Sequence, residues 1–126
     1  MAKVFLDANV FIDLVEKRKS IDRKQLLAHG LFLSPLSVHI LTYLYKYHIP
    51  DERLAGVDKF FKLIPFSTEL TVKALGGPTA DFEDNIQLNS AVEADCDIFL
   101  TNDAKLLNMK FFGKVQILSH PSKNSP

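Results

Sequence analysis

The sequence predicts a single α/β domain built on a parallel sheet that helices cover on both faces. Short apolar runs alternate along the chain with segments whose apolar residues recur at helical spacing. This alternation is typical of strand–helix–strand units, which build parallel sheets. The chain has 126 residues, of which 47% are hydrophobic. That is enough for one core and too little for a second full domain.

Five short apolar runs have the length and composition of buried strands. Asp7 follows the first run directly, and Ser34 and Pro35 interrupt the chain after the second. The predicted strands are residues 3–6, 31–33, 62–66, 98–100 and 115–118.

Helical segments fill the intervals between these strands. Asp22, Ser37 and Ser67 are the expected caps of the second, third and fifth helices, because their side-chain oxygens can accept hydrogen bonds from the first backbone N–H groups. The glycines and proline at 76–78 end the fifth helix. The predicted helices are residues 10–15, 24–28, 38–47, 51–61, 68–75 and 79–95, and a short seventh follows residue 103.

Composition excludes several classes of protein. The single cysteine, Cys96, excludes an internal disulfide framework and a zinc site made of several thiolates, and it fits a reducing compartment, where we expect it to be an inert buried thiol. The N-terminus does not have the pattern of a signal peptide, and no apolar run approaches the length of about 18 residues that spans a membrane. We therefore expect a cytoplasmic protein without a membrane partner.

The charge of the chain does not indicate a nucleic-acid partner. Fifteen basic and fifteen acidic residues give a formal net charge of zero, whereas proteins that bind the phosphate backbone usually carry an excess of Lys and Arg. Carboxylates filled with divalent cations would still attract phosphate, because the bound ion reverses the local sign of the field. We expect the domain to occupy residues 1–118 and the Ser-, Pro- and Asn-rich tail, 119–126, to be mobile.

Four aspartates are the candidate site residues. Asp7 follows the first strand and Asp103 lies three residues beyond the end of the fourth, so parallel strands bring both to one edge of the sheet. Asp81 and Asp84 are spaced i, i+3 near the start of the long sixth helix, where they share a face and the helix dipole favours anions.

Carboxylates that lie close together require a positive charge to offset their repulsion. Two carboxylates about 4 Å apart repel by about 4 kcal/mol at an effective dielectric constant of about 20. Mg²⁺ or Mn²⁺ would offset that repulsion, since hard cations prefer oxygen ligands. Each aspartate taken singly is explained equally well as a helix cap or a first-turn residue. Together they favour a metal site, although their spacing does not separate a nuclease from a phosphohydrolase or a metal-binding regulator.

Several motifs resemble those of the PIN-domain family and occur in the family's order. Residues 5–13, FLDANVFID, resemble the family's opening motif. Residues 34–37, SPLS, resemble its approach to the third helix, and residues 81–84, DFED, with residues 98–103, IFLTND, resemble its later motifs. The chain length is similar to that of the VapC-type toxin ribonucleases of bacterial and archaeal toxin–antitoxin pairs.

The resemblance implies a three-layer α/β/α sandwich, Rossmann-like, around a parallel sheet of about five strands. It also implies an endoribonuclease that uses Mg²⁺ or Mn²⁺, is frequently a homodimer and is neutralised by a small antitoxin protein. Asp7, Asp84 and Asp103 match the family's catalytic metal ligands. Asn9 and Thr101 match polar positions that support the site, and Asp81 is an additional carboxylate that we expect to act as an auxiliary ligand.

One position departs from the family pattern. The family usually has a glutamate early in the third helix, and Ile40 occupies that position here. Loss of an anionic ligand should weaken cation binding, since the affinity of oxygen sites depends on ligand charge. Asp81 could supply the missing charge, whereas His39 is expected to have a surface or packing role. The alternative to a ribonuclease is therefore a catalytically impaired PIN domain that binds RNA or protein.

Two further clusters allow more than one interpretation. Tyr43, Tyr45 and Tyr47, with Lys46 and His48, could stack on nucleic-acid bases, form a dimer face or pack within the fold. The basic run at 17–19 could contact phosphates or could be a solvated helix end stabilised by the helix dipole.

Overall fold

The computed structural model describes residues 1–18 and 22–121 and has one six-stranded sheet with helices on both faces. The strands are β1 Lys3–Leu6, β2 Gly30–Leu33, β3 Lys62–Leu63, β4 Ile98–Leu100, β5 Phe111–Phe112 and β6 Val115–Leu118. The helices are α1 Ala8–Val15, α2 Arg23–Leu27, α3 Pro35–Leu44, α4 Val57–Phe60, α5 Thr68–Leu75, α6 Phe82–Glu93 and α7 Ala104–Met109.

The strand order is β3-β2-β1-β4-β6-β5, and the first five strands in that order run parallel. The predicted α/β fold with about five parallel strands is confirmed. The sixth strand, β5, was not predicted; it pairs antiparallel with β6 across a tight turn at Gly113, where φ is +62°. A two-residue strand is too short to produce a periodic signal in the sequence.

Alternating side chains of the central strands divide the core between the two faces of the sheet. Val4 and Leu6 of β1 pack with residues of α1, α2 and α3 on one face. Phe5 points to the other face and stacks on Phe99 of β4, with ring centroids 5.6 Å apart, beneath α6 and α7. Because successive strand residues point to opposite faces, continuous apolar runs are what a sheet covered on both faces requires.

Several predicted helix boundaries were wrong. Ser34, not Ser37, caps α3: the Leu36 N–H donates to the Ser34 hydroxyl oxygen at 3.1 Å, and Pro35 takes the first helical position, where a missing N–H costs little. α3 ends at Leu44 rather than at 47. The helix predicted over 51–61 is reduced to α4, and β3 has two residues rather than the five predicted.

The long sixth helix starts three residues later than predicted, at Phe82, because Asp81 is its cap. No helix among residues 1–18 and 22–121 combines the length and apolar character needed to cross a membrane. β6 ends at Leu118, the predicted end of the domain. Residues 122–126 of the predicted mobile tail and residue 19 of the basic run lie outside the described residues.

Candidate functional site

The strand order creates a crevice at the carboxyl ends of β1 and β4. The chain leaves β1 toward β2 on one side, whereas β4 and β6 lie on the other side, so the connections diverge between β1 and β4. Ligands of open α/β sheets bind at such a switch point. Leu6 pairs with Leu100 in the register, so the residues that follow, Asp7 and Thr101, lie side by side at this edge.

Asp7 is a buried carboxylate held by two donors. It is the N-cap of α1, and its Oδ1 accepts a hydrogen bond from the Ala8 N–H at 2.8 Å. Its Oδ2 accepts one from the Thr101 hydroxyl at 2.7 Å. Only 5% of Asp7 is exposed. Burial raises the pKa of Asp7 above its ordinary value; the two hydrogen bonds oppose this, and the charges of Asp103 and Asp81 add to it.

Thr101 connects Asp7 to Asp103. While its hydroxyl donates to Asp7, its Oγ1 accepts a hydrogen bond from the Asp103 N–H at 3.0 Å. Asp103 is the N-cap of α7, and its Oδ1 accepts from the N–H groups of Lys105, at 2.8 Å, and Leu106, at 3.3 Å. The buried threonine therefore orients two of the candidate ligands, one on each side of the crevice.

Asp81 and Asp84 occupy the start of α6. Asp81 is the N-cap, and its Oδ1 accepts a hydrogen bond from the Asp84 N–H at 2.9 Å. The pKa of Asp84 is raised to about 6, first by burial and then by the charges of Asp81, Asp7 and Asp103. Asp84 therefore lies in the negative field of the other three aspartates, although no three of these carboxylates are grouped closely enough within the described residues to hold one metal ion jointly.

The remaining predicted positions differ in their surroundings. Asn9 is exposed in the first turn of α1, two residues after Asp7. Ile40 is half-buried and packs against the core cluster on the α1 side of the sheet. An apolar contact thus replaces the carboxylate that the family resemblance implied at this position.

The carboxylates of the described residues do not by themselves form a complete metal-binding group. Within the described parts of the chain, no three His, Cys, Asp or Glu side chains are grouped so that they could jointly hold a metal ion. Mg²⁺ usually takes one or two carboxylates and completes its shell with water and phosphate oxygens. The pKa of Asp84 is raised first by burial and only then by neighbouring negative charge, and a divalent cation would offset that second contribution.

Two polar residues that sequence reasoning missed hold Asp81 in place. Asn85 is buried in α6; its Nδ2 donates to the carbonyl oxygens of Ala74 and Thr79, both at 2.9 Å. Its Oδ1 accepts from the Thr79 N–H at 2.8 Å and from the Thr79 hydroxyl at 2.7 Å. The Asp81 N–H in turn donates to Thr79 Oγ1 at 3.0 Å. Asn85 and Thr79 thus fix the turn that carries Asp81.

A signal for this network exists in the sequence. α6 contains Asn85, Gln87, Asn89 and Ser90, and the structure buries all of them. Polar side chains at the core-facing positions of a helix, where apolar side chains are usual, indicate that these side chains form buried hydrogen bonds. Gln87 is an example, since its Nε2 donates to the hydroxyl oxygen of Ser37 in α3 at 3.2 Å.

Comparison with known proteins gives likeness in structure only. No family model and no curated protein sequence matches the chain. A chain in the crystal structure of VapBC2 from Rickettsia felis bound to a DNA fragment from their promoter is similar, with a TM-score of 0.65 and 16% identity. That likeness covers 92% of this chain and 97% of the other.

A chain in the DNA-bound VapBC structure from Salmonella typhimurium is similar with a TM-score of 0.62 and 18% identity. The likeness covers 94% of this chain and 98% of the chain from Salmonella typhimurium. The likeness extends over nearly the whole chain in both cases, with the helices and strands of the predicted sandwich. The chain therefore has a PIN-like fold of the VapC type, as its motifs implied.

Proposed function

We propose that this chain is a divalent-metal-dependent endoribonuclease and the toxin of a toxin–antitoxin pair. One observation carries the proposal: Thr101 links Asp7 to Asp103 at the switch point between β1 and β4, and the charges of Asp81, Asp7 and Asp103 act on the half-buried Asp84. This edge of the sheet is where ligands of the fold class bind. The motif resemblance to PIN-domain ribonucleases favours hydrolysis of RNA over hydrolysis of a small phosphate ester, and the fold shared with chains of VapBC structures agrees with that resemblance.

Some groups in the crevice orient the Asp7 carboxylate, and others add negative charge beside it. Thr101 and the Ala8 N–H hold the Asp7 carboxylate in one orientation, while Asp84 and Asp103 add negative charge beside it. Asp81 is the auxiliary ligand and Asn9 the supporting polar group of the proposed site. Mg²⁺ or Mn²⁺, when bound, supplies a Lewis acid that activates water and stabilises the leaving oxygen.

The proposed partners are RNA, a small antitoxin and a second copy of the chain. One similar chain comes from VapBC2 bound to a DNA fragment from their promoter and the other from DNA-bound VapBC, which supports an antitoxin partner for this chain as well. We place the protein in the cytoplasm, where RNA is accessible. We expect a short reading frame next to the gene to encode the antitoxin. Its product should restore growth when co-expressed and should co-purify with the chain, and light scattering should give the mass of a dimer.

RNA cleavage by the purified protein tests the activity. We expect cleavage with Mg²⁺ or Mn²⁺, none in EDTA, and loss of both cleavage and toxicity in Asp7→Asn. Asp58→Asn is the matched control, because Asp58 is an exposed aspartate of α4, a helix that carries none of the four candidate ligands. Absence of cleavage with either metal, together with unchanged toxicity of Asp7→Asn, would refute the proposal.

One observation favours a second function, a catalytically impaired domain that binds RNA or protein. Ile40 packs on the core where the family has an acid, so the site lacks one charge. Ile40→Glu should raise Mn²⁺ affinity and cleavage if the site is impaired for this reason, at a cost in stability from the lost apolar burial. Ile40→Gln controls for that cost without adding charge. Equal metal affinity in both variants would mean that this position does not face the site.

A further inference from the structure

Charge is segregated along the chain although the net charge is zero. Residues 79–103 contain seven acidic residues and no Lys or Arg, and they build the carboxylate edge. Residues 23–50 contain no acidic residue, and they hold three basic residues and three of the four histidines. α3 lies wholly within this acid-free segment. No side chain of α3 therefore carries a carboxylate that would repel a bound polyanion.

An aromatic stripe runs along the exposed face of α3. His39 and Tyr43 are both exposed and stack on each other, with ring centroids 6.1 Å apart and an interplanar angle of 25°. Tyr43 is 73% exposed. Lys46, also exposed, lies two residues beyond the end of α3, where the backbone has left the helix with φ +52°, so its cation lies at the end of the stripe.

A second pairing of an aromatic ring with a cation lies at the end of the same helix. The Arg18 guanidinium lies 5.4 Å from the centroid of the Tyr45 ring and hydrogen-bonds to its hydroxyl. Tyr47 differs, because its hydroxyl bonds to Glu16 and its ring packs on the core. The predicted tyrosine cluster is thus divided: Tyr43 and Tyr45 face solvent, and Tyr47 is part of the fold.

The stripe leads away from the carboxylate edge. α3 begins directly after β2, whose carboxyl end lies beside that of β1, where Asp7 is located. A ten-residue helix is about 15 Å long. His39 lies about one turn above the edge and Lys46 lies just beyond the far end of α3. A strand with one phosphodiester at the edge could therefore continue along the stripe.

We propose that this face of α3 binds single-stranded RNA, with bases stacked on His39 and Tyr43 and phosphates near Lys46 and Arg18. The inference rests on the proposed function and adds the surface that holds the substrate. Stacked aromatic rings beside cations are how sequence-tolerant single-strand binders hold bases and backbone. The acid-free segment places no carboxylate of α3 against the phosphates, while Arg18 at the end of the helix would exchange its ion pair with Asp13, 2.9 Å away, for a phosphate.

The test measures RNA binding without cleavage. Anisotropy of a fluorescein-labelled oligouridylate is followed in EDTA with the full chain. Tyr43→Ala should weaken binding by about 5- to 150-fold, the usual effect of losing one stacked base, whereas Tyr43→Phe should bind nearly as well as the wild type. Leu75→Ala is the matched control, because Leu75 is 71% exposed on α5, outside the stripe.

Salt dependence tests the phosphate contact. Each phosphate contact contributes about 0.7 to the slope of log affinity against log salt for single strands. Lys46→Gln should lower the slope by about that amount, while Tyr43→Ala should leave the slope unchanged. An unchanged slope in Lys46→Gln would count against a phosphate near this residue.

The outcomes separate the surface from the activity. Weaker binding in Tyr43→Ala without metal-dependent cleavage by the wild type supports the surface and refutes the nuclease. Cleavage that depends on Asp7, together with unchanged affinity in Tyr43→Ala, keeps the nuclease and refutes the surface. If Tyr43→Ala dissociates a dimer and leaves RNA affinity unchanged, the stripe is a contact between copies of the chain and the proposal is wrong.

Discussion

Asp7 is a buried carboxylate whose two oxygens each accept one hydrogen bond. Burial favours its neutral form and the hydrogen bonds favour its charged form, so their balance sets the charge available for a cation. Of the two donors to Asp7, Thr101 donates from its side chain and can be removed by mutation, whereas Ala8 donates from its backbone. Its identity as a supporting residue came from the sequence, and its contacts with Asp7 and Asp103 came from the structure.

Thr101→Val should lower the free energy of unfolding by about 1–3 kcal/mol at pH 8, because a charged buried oxygen loses its donor. The deficit should shrink at pH 4, where the Asp7 carboxyl is more often protonated and needs the donor less. Thr101→Ser keeps the hydroxyl and loses only a methyl group, so its deficit should not depend on pH. Urea unfolding at both pH values measures this; a pH-independent deficit in Thr101→Val would indicate a packing role only.

Asp84 destabilises the metal-free protein when it is charged. Its pKa is raised from 3.8 to about 6, so the folded state binds more protons than the unfolded state between these values. Stability of the metal-free protein therefore falls as the pH rises from about 4 to about 6.

Asp84→Asn should remove this loss. The full shift corresponds to about 3 kcal/mol, and solvent screening of the half-buried group reduces it to about 1–2 kcal/mol at pH 7.5. At pH 4 the variant and the wild type should be about equally stable. Thermal unfolding in EDTA at the two pH values checks this, with Glu52→Gln, an exposed glutamate that does not contribute to the pKa of Asp84, as the control. A less stable Asp84→Asn at pH 7.5 would contradict the sign.

At the scale of elements, α6 is placed by its first residues. Asp81 caps the helix, and Asn85 and Thr79 hold the turn before it. The cap was predicted as a first-turn residue because a sequence pattern gives helix ends to within only a few residues. The same geometry gives Asp81 two separable roles, as a cap and as a source of charge near Asp84.

Two substitutions of Asp81 separate those roles. Asp81→Ala should cost about 0.5–2 kcal/mol of stability, because α6 loses its cap, whereas Asp81→Ser retains a capping oxygen and should cost little. Both remove the carboxylate, so both should weaken Mn²⁺ binding if Asp81 is an auxiliary ligand. Calorimetric titration of Mn²⁺ beside thermal unfolding distinguishes the cases. If Asp81→Ser binds Mn²⁺ as tightly as the wild type, Asp81 caps the helix and is not a metal ligand.

At the scale of the whole molecule, Cys96 reports on the integrity of the core. It is 4% exposed at the end of α6, before β4, and packs in the cluster with Phe5 and Phe99. Burial, above all, raises the pKa of its thiol to about 12; Lys3 opposes this, and Asp97 and Asp95 add to it. The expectation of an inert buried thiol agrees with these surroundings.

The Cys96 thiol should therefore react with a thiol reagent only when the core around it unfolds. At pH 8 a thiol reagent should react slowly with the native chain and rapidly in denaturant, and the labelling midpoint in urea should coincide with that of circular dichroism. Cys96→Ala, which should not label at all, gives the background. Complete labelling within the mixing time under native conditions would show that this part of the core is open.

Much of the fold follows from local signals. Apolar runs of three to five residues between capping and turn residues predicted all five parallel strands, and α5 was predicted at its observed bounds. Asp7 and Asp103 could be placed at one edge because parallel strands share their carboxyl end. These features depend on neighbouring residues and on one rule of sheet geometry, so they are contained in the sequence itself.

Long-range packing decided the rest. The strand order, the hydrogen bond from Gln87 to Ser37 across fifty positions, and the division of the tyrosines between Tyr43 at the surface and Tyr47 in the fold each depend on residues far apart in the chain. So does the charge on Asp84, whose pKa reflects burial first and then, besides Asp81 of the same helix, Asp7 and Asp103 from other segments. The sequence by itself determined which residues can carry charge at the edge; only the tertiary structure decided how closely they meet, because burial and Coulomb interactions act through space.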